Sequence, residues 1–263
     1  MGRLGERGRE PGAGRTAYGR VAPAPLVSDR PPYDIPPGGS LGLLAAGWRG
    51  VRAWREVRGP LADVEPDRPD PGLSDVSLVL VTGLPRSGTS MVMQMLRAAG
   101  VPPYTDGERA ADSSNPRGYL EAERVKRLAY DASWLAEADG HALKVVAPLV
   151  PHLPAGPSYR AVLIERDLDE VLRSQEAMLR RQGLRAGSSE SLRVAYARSL
   201  DAARAWLDRH AQTLVLRHGD VVAAPIEAAR SLHAHLGALA EVGDLGATAA
   251  AVDSSLHRQR ADG

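Results

Sequence analysis

One short stretch concentrates the residue types that can do chemistry: Gly83-Leu84-Pro85-Arg86-Ser87-Gly88-Thr89-Ser90. Gly83 and Gly88 stand at the spacing of a G-x-x-x-x-G nucleotide-phosphate loop. Ser87, Thr89 and Ser90 supply hydroxyls, and Arg86 supplies the loop's one positive charge. Backbone N–H groups and hydroxyls gathered in such a turn hold an oxyanion. The residue after Gly88 limits which one. A nucleoside triphosphatase needs a lysine there for the β and γ phosphates, and this chain has Thr89. The stretch therefore describes a phosphate or sulfate cradle that is not built for ATP hydrolysis.

The elements on either side must aim that cradle. Leu78-Val79-Leu80-Val81 is an unbroken apolar run and predicts a strand buried on both faces. Met91, Val92, Met95, Leu96 and Ala99 share one stripe of a helix that stops at Gly100. A strand, a glycine-bearing loop and a helix direct the helix's unpaired N–H groups and its positive dipole end into the loop. Further strands are expected over 142–147, 159–164 and 213–216. Helices are expected over 116–138, 168–181, 190–210 and 225–236, the last opening on Pro225 and closing at Gly237. Strands alternating with helices imply a parallel sheet covered on both sides. The expected fold is α/β and P-loop-like: three layers, with a central parallel sheet of four to five strands flanked by helices. Ligands of such sheets bind at the carboxyl ends of the strands, and Arg86 and Arg166 both stand just past such ends.

Composition narrows the partners. With 33 lysines and arginines against 32 acids in 263 residues, no global field favours nucleic acid. The absence of cysteine excludes disulfides, thiol nucleophiles and thiolate metal sites. His233 and His235, the one close histidine pair, point apart on a helix and make no metal site. Only Lys126 and Lys144 are lysines, and Lys144 lies in an apolar setting. No run approaches the roughly 20 apolar residues of a membrane span, and the N-terminal charges precede no apolar core, so a cytoplasmic protein is expected. Residues 1–40, rich in Gly, Pro and Arg, read as a disordered segment. Residues 41–73 read as an appended helix and linker, with Leu44, Trp48, Val51 and Trp54 at helical spacing. Residues 74–263 read as the α/β domain proper.

The string Pro85-Arg86-Ser87-Gly88-Thr89-Ser90 after a buried strand resembles the 5′-phosphosulfate loop of sulfotransferases, which use 3′-phosphoadenosine-5′-phosphosulfate (PAPS). The tyrosylprotein sulfotransferases and related bacterial sulfotransferases carry nearly this string, and the resemblance extends over about residues 76–260. It implies that Pro85 to Ser90 bind the donor's 5′ end and that Arg86 stabilises the bridging oxygen, with Lys144 as second cation. Sulfotransferases hold the 3′-phosphate with an Arg and a Ser eight residues apart, and Arg166 and Ser174 stand at that interval. Arg166 also has Asp169 and Glu170 within reach as ion-pair partners. Three residues compete for the role of base. Glu108, followed by Arg109, stands where the tyrosylprotein enzymes place theirs. Glu121 belongs to Asn115-Pro116-Arg117-Gly118-Tyr119-Leu120-Glu121, similar to an N-P-x-G-[YF]-x-E string of bacterial members. His152 has the ordinary pKa best suited to a base. The histidine of the cytosolic enzymes is replaced by Val146, and the aromatic of the family's late strand by His218. Arg258 and Arg260 resemble basic residues that cover the cofactor.

The resemblance implies sulfuryl transfer from PAPS to a hydroxyl of a small molecule or carbohydrate, with no metal required, since the sulfuryl group carries less charge than a phosphoryl group. Two alternatives stand beside it: a kinase or other phosphotransferase of related P-loop topology, which Thr89 disfavours, and a nucleotide-binding module without catalysis.

Overall fold

A computed structural model describes residues 71–106, 120–181, 189–237 and 243–253. The segments 1–40 and 41–59, the base candidate Glu108, Arg109, and Arg258 with Arg260 lie outside the described residues.

The architecture is α/β, with four parallel strands in the order β2-β1-β3-β4. β1 spans Ser77–Gly83, β2 Ala142–Lys144, β3 Ser158–Glu165 and β4 Ala211–Arg217. Helix α1 covers Thr89–Ala98, α2 Leu168–Arg181, α3 Ser189–His210, α4 His218–Ala223, α5 Pro225–Leu236 and α6 Leu245–Ala250. Among the described residues, no helix is long and apolar enough to cross a membrane.

Strand alternation builds two cores, one on each face of the sheet. Leu78 and Leu80 of β1 and Tyr159, Ala161 and Leu163 of β3 join one core with Leu172, Tyr196, Trp206 and Leu207. Val79, Val81, Val162 and Ile164 point the other way, onto Val92, Met95, Leu96, Leu232 and Leu236. Central strands buried on both faces account for the continuous apolar runs in the sequence.

The connections explain where a ligand can enter. The chain leaves β1 for β2 on one side, then returns to β3 on the other side and continues outward to β4. β1 and β3 are therefore neighbours whose onward connections diverge, which leaves a crevice beyond their carboxyl ends. The register pairs Gly83 with Ile164, so the loop after β1 and the turn after β3 emerge side by side.

Two expectations change. The helix expected over 116–138 is, within the described residues, two 3-10 helices, Glu123–Arg127 and Ser133–Ala138. Val125, Leu128 and Leu135 are buried as the stripe requires. However, Asp131 accepts hydrogen bonds from the backbone N–H and hydroxyl of Ser133, a local turn that competes with helix. The second strand ends at Lys144, because the chain turns into a 3-10 helix over Ala147–His152 that contains Pro148 and Pro151.

Candidate active site

The loop between β1 and α1 is shaped by its backbone before any side chain acts. Gly88 has φ 111° and forms the N-cap of α1 without a side-chain cap, so no hydroxyl or carboxylate of its own closes the helix's first N–H groups. Gly83 and Gly88 are required sterically. A Cβ on Gly83 would stand 2.5 Å from the Ile164 carbonyl oxygen, and one on Gly88 would stand 2.8 Å from the His218 ring. Ser87 donates its backbone N–H to the Leu84 carbonyl at 3.1 Å and closes the turn. Its hydroxyl is buried and has no hydrogen-bond partner among the described residues. Arg86 occupies φ 71°, a left-handed conformation that a side-chain-bearing residue holds only where the surroundings impose it.

Two groups of charged and polar side chains hang on this loop. In the first, the Arg86 guanidinium donates from Nε to Ser174 Oγ on α2 at 3.1 Å. Arg166 donates from Nη1 to the Arg86 carbonyl oxygen at 3.2 Å and from Nε to Glu170 Oε2 at 2.7 Å. Arg166 does pair with Glu170, as its spacing allows, but the pair lies inside the molecule rather than on the surface, with side chains 8% and 11% exposed. Glu170 is itself fixed at the start of α2, where its backbone N–H donates to Asp167 Oδ1 at 3.0 Å. Ser174, Arg86 and Arg166 thus converge at the β1–β3 crevice.

The second group forms around Lys144, the last residue of β2. Its side chain is 2% exposed, and Nζ lies 2.8 Å from Glu121 Oε1 and donates to Ser90 Oγ at 3.1 Å. Lys144 therefore does not reach out to solvent, as a lysine at a sheet margin commonly does. Leu120, which precedes Glu121, has φ 48°, so the two non-glycine residues with positive φ among those described lie in or beside the proposed site. Burial of this kind strengthens the attraction within the pair and makes its separation costly.

The remaining candidates lie on the connection after β2 and around the loop. His152 ends the 3-10 helix Ala147–His152 and is partly exposed. His218 opens α4 and lays its ring against the loop at Gly88, so it acts as a wall of the cradle. Pro85 and Thr89 stand in the loop and at the first position of α1. Among the described residues no three His, Asp or Glu side chains gather as a metal cage. Tyr196 of α3 is buried in the core that also holds Leu84 of the loop, and no local motif in the sequence announces it.

No protein-family model matches the chain. No curated protein matches it either. Among solved structures it is similar to the sulfotransferase domain from the curacin biosynthetic pathway. That likeness covers 69% of this chain and 89% of the other, at 15% identity and a TM-score of 0.39. A likeness so distant assigns no reaction.

Proposed function

We propose that the chain is a sulfotransferase that moves a sulfuryl group from PAPS to a hydroxyl acceptor. The observation that carries this reading is the link from Arg166 through the Arg86 carbonyl and guanidinium to Ser174, at 3.2 and 3.1 Å. It joins a 5′-phosphosulfate-type loop to an Arg–Ser pair suited to a 3′-phosphate, the group that separates this donor from ATP. A buried, unpartnered Ser87 hydroxyl and two glycines that leave no room for a Cβ fit an oxyanion in the loop.

The donor supplies an activated sulfuryl group and a leaving nucleotide. Pro85 to Ser90 surround its 5′ end in this reading, and Arg166 with Ser174 hold its 3′-phosphate. The acceptor oxygen bonds to sulfur as the sulfur–oxygen bond to the 5′-phosphate breaks, and the acceptor's proton passes to a carboxylate. Arg86 and Lys144 offset the charge that develops on the bridging oxygen. Glu121 fixes the lysine for that task. Glu108 is the proton acceptor, with Glu121 and His152 the next choices if Glu108→Gln keeps full turnover. Small-molecule and carbohydrate hydroxyls are the proposed acceptors, and no step calls for a metal.

Calorimetry with 3′-phosphoadenosine-5′-phosphate, AMP and ATP tests the nucleotide. The bisphosphate is expected to bind at least tenfold more tightly than either competitor. Arg166→Ala is expected to remove most of that preference, because a charge-assisted hydrogen bond contributes about 1.5–3 kcal/mol. Equal losses for the bisphosphate and AMP would contradict the 3′-phosphate role. Transfer of label from a sulfur-labelled donor to a panel of hydroxyl acceptors tests the reaction.

A further inference from the structure

After α1 the chain runs along the outer edge of β2. Pro103 forms a parallel bridge with Ala142. The Ala142 N–H donates to the Pro102 carbonyl at 2.8 Å, and the Tyr104 N–H donates to the Ala142 carbonyl at 2.9 Å. A segment parallel to β2 advances toward the same end of the sheet. Two residues past the bridge, Thr105 therefore comes level with Lys144, where β2 ends. Thr105 and its neighbour Asp106 both grip the segment that carries Glu121. Thr105 Oγ1 donates to the Glu121 carbonyl oxygen at 2.9 Å, and Asp106 Oδ2 accepts the Glu123 N–H. Leu120, just before this segment, has φ 48°, which costs a residue with a Cβ about 1–2 kcal/mol. Such a conformation persists only where its surroundings over-determine it. The Glu121 carboxylate that follows it lies 2.8 Å from Lys144 Nζ, and the same Nζ donates to Ser90 Oγ at 3.1 Å.

We infer that Thr105 is a positioning residue: with Asp106 as a second point of hold, it fixes the Glu121 backbone so that the carboxylate meets Lys144 and keeps that ammonium beside Ser90 at the start of α1. For what Lys144 does there the inference rests on the sulfotransferase reading, to which it adds the residue that sets the lysine's place. Asp106 alone would be an ordinary end group for the 3-10 helix Glu123–Arg127, whose first N–H it accepts. Thr105 is not, because the carbonyl it holds lies ahead of that helix and its N-cap, Ala122. The side chain must also be a donor. A valine at 105 has the same branched shape and suits an extended edge segment equally well, but it offers the Glu121 carbonyl nothing. Without the hold, the backbone at 120–123 is free to shift and relieve the strain at Leu120. Lys144, 2% exposed, then loses part of the contact that offsets its burial.

Lys126 and Lys144 are the only lysines of the chain, so reductive methylation followed by peptide mass spectrometry reads each one separately. Lys126 is the internal reference, because it pairs with Glu123 inside a single turn and moves with it. In Thr105→Val, methylation of Lys144 relative to Lys126 should rise about 2- to 10-fold, the range for one lost neutral hydrogen bond. Thr105→Ser keeps the hydroxyl and should label like the parent. Turnover with sulfur-labelled donor should fall by a similar factor in Thr105→Val and return in Thr105→Ser. Affinity for 3′-phosphoadenosine-5′-phosphate should stay unchanged in both, because Arg86, Arg166 and Ser174 are untouched. Equal labelling of Lys144 in the parent and in Thr105→Val overturns the inference, whatever reaction the protein performs. So does a rise at both lysines with a lowered melting temperature, the signature of a residue that only holds the fold. Release of Lys144 with turnover unchanged also overturns it, because the lysine's place would then serve nothing in the reaction. If Lys144 alone becomes reactive while the parent neither prefers the bisphosphate over AMP nor transfers label, the hold on Glu121 stands and the sulfotransferase reading falls.

Discussion

Residue 86 combines two demands that usually conflict. Its side chain reaches Ser174, while its backbone holds φ 71°, a region that disfavours any residue with a Cβ by about 1–2 kcal/mol. The strain is tolerated where it aims a functional group. Comparing two truncations isolates it, because neither retains the guanidinium. Arg86→Gly is expected to be more stable than Arg86→Ala by about 1 kcal/mol in denaturant unfolding, with turnover lost in both. Equal stabilities would mean that the backbone at 86 relaxes once the side chain is gone. Lys144 and Glu121 pose the opposite case, two opposite charges 2.8 Å apart that offset each other's burial. Removing one partner strands the other, so Glu121→Gln and Lys144→Met should each destabilise by about 3–5 kcal/mol. The double variant should cost much less than the sum. A coupling energy near zero in that cycle would show that solvent screens the pair.

At the level of elements, the strand–loop–helix unit was legible because each part obeys a local rule. A β-branched apolar run made β1, glycine spacing made the turn, and a 3.6-residue stripe made α1. The helices over Leu168–Arg181 and Pro225–Leu236 were equally legible from periodicity and their end signals. The region after Leu120 was not, since its 3-10 turns depend on the Asp131 turn and on Glu121 reaching Lys144, a contact 23 positions away in sequence. The juxtaposition of Arg86 with Ser174 is likewise set by sheet order. The packing of α4 against the loop gives this scale its own prediction. Gly88→Ala meets two obstacles, a φ of 111° and the His218 ring 2.8 Å from the new methyl. The variant should lose about 2 kcal/mol or more of stability and most of its nucleotide affinity. Adding His218→Ala removes the ring and should return part of the stability but not all, because the backbone penalty remains. No recovery in the double variant would show that the ring already yields and that the conformational penalty acts alone.

Across the whole molecule, two cores share one sheet, and the candidate site draws on both faces. Arg86 and Ser174 belong to the face that holds α2 and α3, while Ser90 stands on α1, which packs on the other. Anything that loosens the second face should therefore disturb Ser90 and the lysine bonded to it. That face is closed by α5 and α6, with His233 Nε2 2.8 Å from Thr248 Oγ1 and Arg160 donating to the His235 carbonyl at 2.6 Å. The His235 ring is a titratable group on this face. Burial lowers its pKa from the ordinary value near 6.5, the Arg160 charge acts in the same direction, and a backbone hydrogen bond with Ala161 opposes them. The folded state thus resists a proton that the unfolded chain accepts below about pH 6.5. Between that pH and the lower folded value, the unfolded state binds more protons, so stability is full above 6.5 and declines as pH falls. Thermal unfolding from pH 7.5 to 5 should show the parent's melting temperature falling more steeply than that of His235→Gln, which cannot take up the proton. Parallel slopes for the two proteins would remove His235 from the acid response and leave it to the carboxylates.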